Sequence, residues 1–258
     1  MTPPLTGKRI LVTRPRTQSA DLCDRLAALG AEPIVFPTIE IAPLENTTRL
    51  DQAINQLSHY HWVIFTSVNG VAAFWGRLIA TGKDSGALAE MRVAAIGPAT
   101  AQALERRGIQ TRFIPDKYVA EAIVAGIGDV RGQRILLPRA DIAREALAAE
   151  LERLGAMVDE IAAYRTLPTA PEPRGWAELR RGVDAITFTS SSTARNFVAL
   201  VGRDDISPDT VVACIGPITA NTARELGLRV DVVAAEYTMA GLAQVLADYF
   251  TREQEHAP

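Results

Sequence analysis

The chain has 258 residues, 48% hydrophobic and 22% charged, a balance that excludes disorder as its main state and suffices for two cores. Its formal net charge is −3, with 27 basic against 30 acidic residues, so it lacks the basic excess of a general nucleic-acid binder. No uninterrupted apolar run approaches the roughly 18 residues of a membrane-spanning helix, so no membrane association is expected.

The start, Met1-Thr2-Pro3-Pro4-Leu5, lacks the basic-then-apolar plan of a signal peptide, and a cytoplasmic location is expected. Ile10–Thr13 then reads as a short strand, and Ser19–Leu29 as a helix with Leu22, Leu26 and Leu29 at helical spacing and Gly30 as its stop. Pro37–Pro43 is an extended, proline-bounded run. Val63–Thr66 and Val93–Ile96 are further strands, and Ala99–Arg107 is a helix ended by Gly108. Ile161–Pro168 is a second extended, proline-bounded run, followed by a polar loop over Pro168–Gly175. Thr219–Leu226 is a helix closed by Gly227. Thr17 or Ser19, Ser67 and Ser191 are the expected helix N-caps.

A long internal repeat organises these elements. Gly7–Arg14 matches Gly132–Arg139, and each is followed by a helical stretch ending in Leu-Gly-Ala, at Leu29–Ala31 and Leu154–Ala156. His61–Ser67 matches Val183–Ser190, and Val93–Ala101 matches Val212–Ala220. The offset is about 120 residues throughout, which points to two domains of one fold rather than a solenoid of short units. Short apolar strands alternating with amphipathic helices predict an α/β architecture: a doubly wound, parallel-sheet, flavodoxin-like domain made twice. The two extended runs fall at the same point of each copy. They are expected to leave the main sheets and pair antiparallel as a hinge between domains.

Ligands of open parallel sheets bind beyond the carboxyl ends of the strands. Those ends carry Arg14, Thr66, Ser67, Asn69, Gly97, Arg139, Ser190, Ser191 and Gly216. Here are hydroxyls, small residues, helix starts and two arginines, a set suited to carboxylate or phosphate groups. Each also has a structural use: serines cap helices, Gly97 and Gly216 serve strand-to-helix turns, and arginines pair with acids. Neither GxGxxG after the first strand nor GxxxxGK[ST] is present, which argues against a nucleotide-dependent enzyme, and no Ser/His/Asp set is visible. Cys23 and Cys214 stand outside any CxxC pair, while His59 and His61 have no acidic or Cys partner nearby and His256 lies far off. No disulfide framework and no metal site are expected.

The strings Val12-Thr13-Arg14-Pro15, Phe65-Thr66-Ser67-Val68-Asn69-Gly70, Ile96-Gly97-Pro98-Ala99-Thr100, Leu137-Pro138-Arg139, Tyr164-Arg165-Thr166, Phe188-Thr189-Ser190 and Ile215-Gly216-Pro217-Ile218-Thr219 follow one another in an order and spacing that resemble the uroporphyrinogen-III synthases. The resemblance covers nearly the whole chain. It implies two α/β domains joined by a two-stranded ladder, one combining residues 1–36 with 169–258 and the other holding 37–168. It implies a linear tetrapyrrole substrate, hydroxymethylbilane, closed with inversion of its last ring and with neither cofactor nor metal. It also implies a role for Tyr164 and for Thr100 and Thr219. Ile218 stands where some members carry a second hydroxyl, so no polar contact is assigned there.

The chemistry agrees with that implication. The bilane's terminal hydroxyl leaves readily with help from its pyrrole nitrogen, so positioning and stabilisation of a cation between two walls are what an enzyme must supply. Tyr164 is the candidate catalytic residue. Arg14, Thr66, Ser67, Asn69, Gly97, Thr100, Arg139, Ser190, Ser191, Gly216 and Thr219 are the candidate substrate-binding residues. A monomer binding this one small molecule is expected. The rival reading is a hinged two-domain module that binds a ligand without chemistry.

Overall fold

A computed structural model of the chain describes residues 3–142 and 146–256. In chain order the elements are β1 (Arg9–Val12), α1 (Ala20–Ala28), β2 (Glu32–Val35), β3 (Ile39–Ala42), α2 (Thr48–Asn55), β4 (Trp62–Phe65), α3 (Val68–Ala80), β5 (Arg92–Ala95), α4 (Pro98–Glu105) and α5 (Ala120–Gly126). There follow β6 (Arg134–Ala140), α6 (Ala146–Arg153), β7 (Met157–Pro168), α7 (Pro173–Arg180), β8 (Ala185–Phe188), α8 (Ser191–Val201), β9 (Val211–Cys214), α9 (Pro217–Glu225), β10 (Val232–Val233) and α10 (Met239–His256). Among the described residues no helix is long and apolar enough to cross a membrane.

The chain divides into two compact units, one made of the segments up to Glu40 and from Leu167 onward, the other of Ile41–Thr166. The first holds a five-stranded sheet in the order β10-β9-β8-β1-β2, with all four neighbouring pairs parallel. Numbered within the unit and taken from β2, that order is 2-1-3-4-5, the flavodoxin-like arrangement. Alternation along the strands covers both faces. Ile10 and Val12 pack with Leu22 and Leu26 of α1 and Leu242, Leu246 and Phe250 of α10, whereas Leu11 packs on the other face with Phe188, Phe197 of α8 and Ala220 of α9.

In the second unit the order is β3-β7-β6-β4-β5. Val63 and Phe65 turn to Leu50 and Ile54 of α2 and Phe74 and Leu78 of α3, while Trp62 and Ile64 turn to Ile123 of α5 and Leu147 and Leu151 of α6. Phe113 bridges Ala94 in parallel beyond β5. Under the repeat, β7-β6-β4-β5-Phe113 therefore corresponds strand for strand to β2-β1-β8-β9-β10.

The contiguous copies of the repeat are thus not the sheets. Each sheet takes two strands from one copy and its other strands from the other, because the chain changes units between the second and third strand of each copy. In the first copy Pro37, which has no N–H for a ladder, separates β2 from β3. Thr38 beside it is fully buried, donating through its hydroxyl toward the carbonyls of Thr13 and Thr193. In the second copy no proline intervenes, and the strand after the helix and the extended run are one twelve-residue strand, β7.

Local expectations fare unevenly. Gly30 and Gly155 end their helices at φ +92° and +88°, a region that favours glycine. Ser67 caps α3 as expected, accepting from the Gly70 N–H at 2.9 Å. The cap of α8 is Ser190, not Ser191: Ser190 and Thr193 form a reciprocal capping box. Ser19 stands at the N-cap of α1, yet its hydroxyl donates back to Arg16 O instead of capping. The loop expected over Pro168–Gly175 is cut short by α7, which proline at its first position opens.

Candidate functional site

In the second unit the candidates converge at the carboxyl ends of β4 to β7. Thr66 and Ser67 follow β4 directly, half-buried, and Asn69 lies in the first turn of α3. Tyr164 is only 7% exposed, and its phenol lies 3.1 Å from Ser67 Oγ, either hydroxyl able to donate. Burial pushes the Tyr164 pKa above the ordinary value, the hydrogen bonds with Ser67 and Asn69 and the charge of Arg139 pull it back, and Asp141 adds to the rise. The phenol is therefore held neutral, with its proton.

A β-bulge aims this ring. The parallel register of β6 and β7 runs evenly to Arg139 opposite Ala162, then slips so that Ala140 faces Tyr164. Ala163 and Tyr164, neighbours that an even strand would point to opposite faces, consequently join the same core cluster with Phe65 and Phe74.

Arg14 and Arg139, equivalent in the repeat, have different surroundings. Arg139 lies inside β6, 9% exposed, and pairs with Glu160 at 2.8 Å. Arg14, just beyond β1, donates to the Gln18 carbonyl at 3.0 Å, Gln18 Oε1 at 3.3 Å and Met239 Sδ at 3.0 Å, all neutral acceptors. Burial lowers its pKa, with Asp21 a smaller opposing influence. A desolvated guanidinium held this way is electrostatically ready for an anion.

In the first unit, Ser190 is committed to its capping box. The Ser191 hydroxyl lies 2.8 Å from that of Thr222, which itself donates to Ile218 O, so the serine ties α8 to α9. Thr100 and Thr219 are 4% and 5% exposed in the first turns of α4 and α9, where the exposed positions are Pro98, Ala99, Pro217 and Ile218. Neither threonine therefore lies on the exposed side of its turn. No side chain caps α4 or α9, whose N-cap residues are Gly97 and Gly216.

Those glycines are not there for a left-handed turn, since both are fully extended, at φ −172° and −173°. Space is the reason. A Cβ on Gly97 would stand 3.1 Å from the Tyr118 ring, and one on Gly216 would stand 3.3 Å from the Tyr237 ring. Tyr118 and Tyr237 carry no motif of their own. The available signal was the repeat, in which each tyrosine follows its Gly-Pro turn at the same distance. The structure brings Thr66, Ser67, Asn69, Arg139 and Tyr164 together in one unit and sets Arg14, Ser190, Ser191, Gly216 and Thr219 in the other.

The comparisons with known proteins agree with one another. The family model described as uroporphyrinogen-III synthase HemD matches residues 20–244. A uroporphyrinogen-III synthase of Synechococcus elongatus is 38% identical over 249 residues, covering 93% of this chain and 94% of that one. One from Chlorobaculum parvum is 30% identical over 247 residues, covering 93% and 98%. Among solved structures, a mutant uroporphyrinogen III synthase from the extremely thermophilic bacterium Thermus thermophilus superposes with a TM-score of 0.69 at 20% identity, covering 97% of this chain and all of that one. The enzyme from Helicobacter pylori gives 0.60 at 18% identity, covering 94% and 99%. At such identities these two likenesses establish the fold.

Proposed function

Because the chain belongs to the uroporphyrinogen-III synthase family, we propose that the residues at its sheet edges bind and fold hydroxymethylbilane while Tyr164 serves as the proton donor. The activity is that of a lyase of tetrapyrrole biosynthesis: hydroxymethylbilane is cyclised, with its last ring inverted, to uroporphyrinogen III and water. The observation that supports the role of Tyr164 is its neutral, buried phenol beside Ser67 at the start of α3.

The steps follow from the chemistry of the bilane. The phenol of Tyr164 gives its proton to the terminal hydroxyl, which departs as water while the pyrrole nitrogen pushes in its electron pair. The azafulvene cation that results is attacked by the substituted carbon of the last ring, forming a spiro intermediate. That intermediate fragments, the exchanged bond closes on the other carbon, and the ring carbon's proton returns to the tyrosinate. Ionisation is easy, so catalysis resides mostly in holding the chain in the conformer that attacks through the substituted carbon.

For the substrate's acetate and propionate groups the second unit offers the backbone N–H groups at the uncapped start of α4 with Thr66, Ser67 and Asn69, and the first unit offers the uncapped start of α9 and Arg14. Arg139 assists from its pair with Glu160. Domains of residues 1–36 with 169–258 and of 37–168, joined by a two-stranded ladder formed by the two extended runs, would let the protein admit a long flexible substrate as a cytoplasmic monomer. Incubating the pure protein with hydroxymethylbilane and resolving the product isomers tests the reading. Type III should predominate, and a distribution equal to that of spontaneous closure would leave a binding module as the better account.

A further inference from the structure

The end of β6 holds a device that the steps above do not use. In a parallel ladder each residue's N–H and C=O reach to either side of one partner on the next strand. Asp141, immediately after β6, continues the ladder with its backbone N–H, which donates to Tyr164 O at 3.0 Å. The next bond of the series would come from the Thr166 N–H to the main-chain carbonyl of Asp141. It goes instead to the side chain, Asp141 Oδ1, at 3.0 Å. The carboxylate stands in for a strand carbonyl, so the main chain of β6 can turn away while β7 stays held. The other oxygen, Oδ2, lies 3.9 Å from Arg165 Nε, and the guanidinium of Arg165 also pairs with Glu45.

We propose that Asp141 is a positioning residue for Tyr164: it clamps the main chain on both sides of Arg165, one step past the bulge, and so fixes where the phenol points. The inference rests on the reading of Tyr164 as proton donor. The clamp lies just where it is needed, because a bulge re-aims a side chain but leaves a residue outside the ladder, and the strand beyond it must be secured separately. It also explains an acid at this position when Asn or Ser could end a strand. A charged acceptor makes the stronger hydrogen bond to an N–H, and Arg165 balances its charge.

The test is a pair of substitutions read in two ways. Asp141→Ala removes the acceptor, whereas Asp141→Asn keeps an oxygen at Oδ1. In Asp141→Ala, kcat should fall about 3- to 10-fold with KM within about twofold, exchange of the Thr166 amide should accelerate, and the 13C-labelled tyrosine resonance absent from Tyr164→Phe should move. Asp141→Asn should restore all three toward the parent values. On the Tyr164→Phe background Asp141→Ala should cost less than about a further twofold, since it acts through a hydroxyl already gone. Unchanged Thr166 exchange and Tyr164 resonance in Asp141→Ala overturn the proposal, as does a loss of kcat fully additive with Tyr164→Phe. Parental activity in Tyr164→Phe itself refutes the proton donor instead, and the exchange and resonance data still decide whether the clamp sets the ring.

Discussion

Replacing Tyr164 by Phe separates the hydroxyl from the ring that carries it. The ring lies in the core with Phe65 and Phe74, and Phe keeps that packing. What is lost is the hydrogen bonding with Ser67 and Asn69, about 0.5–1.5 kcal/mol of stability per bond. Ser67 still accepts from the Gly70 N–H, so the cap of α3 survives. Assistance by a placed general acid is commonly worth about 10²–10⁴-fold, and the ready ionisation of the substrate puts this case at or below the bottom of that range, roughly 10- to 100-fold in kcat. Tyr164→Ala, by contrast, empties a buried site and should cost about 3–5 kcal/mol of stability as well. The assay is initial rate and isomer ratio on hydroxymethylbilane, with thermal unfolding alongside. Full activity in Tyr164→Phe, with loss only in Tyr164→Ala, would show the residue to be packing alone. The pH dependence has a definite sign. Burial raises the folded pKa above the unfolded value near 10, so the group's contribution to stability is complete below about pH 10 and is lost as pH rises through the folded value. An alkaline limb near pH 8 that vanishes in Tyr164→Phe would contradict this.

Arg14→Ala should raise KM about 10- to 100-fold with little change in unfolding temperature, since no ion pair with a described residue is broken, and steady-state kinetics will show it. Arg139→Ala should raise KM too and, unlike Arg14→Ala, lower stability by about 1–3 kcal/mol, because it strands the carboxylate of Glu160; steady-state kinetics and denaturant unfolding measure the two. Gly97→Ala and Gly216→Ala should each cost about 1–3 kcal/mol by crowding the rings of Tyr118 and Tyr237, and pairing the former with Tyr118→Ala should relieve it. Ser190→Ala should lose about 0.5–2 kcal/mol, whereas Ser191→Ala should leave the N-terminus of α8 capped, as amide exchange there would report. Cys214, whose thiol burial pushes up to about 12, should resist alkylation at pH 8 in the native protein while the half-buried Cys23 reacts first.

Much of the alternation of strands and helices was legible in the sequence because local rules govern it, although α2, α5, α7 and α10 were not marked there. Ile10, Leu11 and Val12, a short β-branched-rich run ended by Thr13-Arg14-Pro15, read as a strand buried on both faces, and Leu22 and Leu26 before Gly30 make a helix with one apolar side and a definite end. The sequence likewise marked the edge residues, for turns and helix starts need Ser67, Gly97, Pro98 and their repeats. It did not determine which strands share a sheet. The alternation in β1 is satisfied by any parallel neighbour of similar character, and each repeat supplies one. The choice of β8 beside β1, rather than β4, was made by where Pro37 and β7 carry the chain. Nor did it determine the bulge beside Ala140, the contact of Tyr118 with Gly97, or which of two equivalent arginines pairs with an acid. Each of these depends on atoms brought together from distant parts of the chain. Identical local signals lead to different partners there, and only the packed tertiary structure distinguishes them.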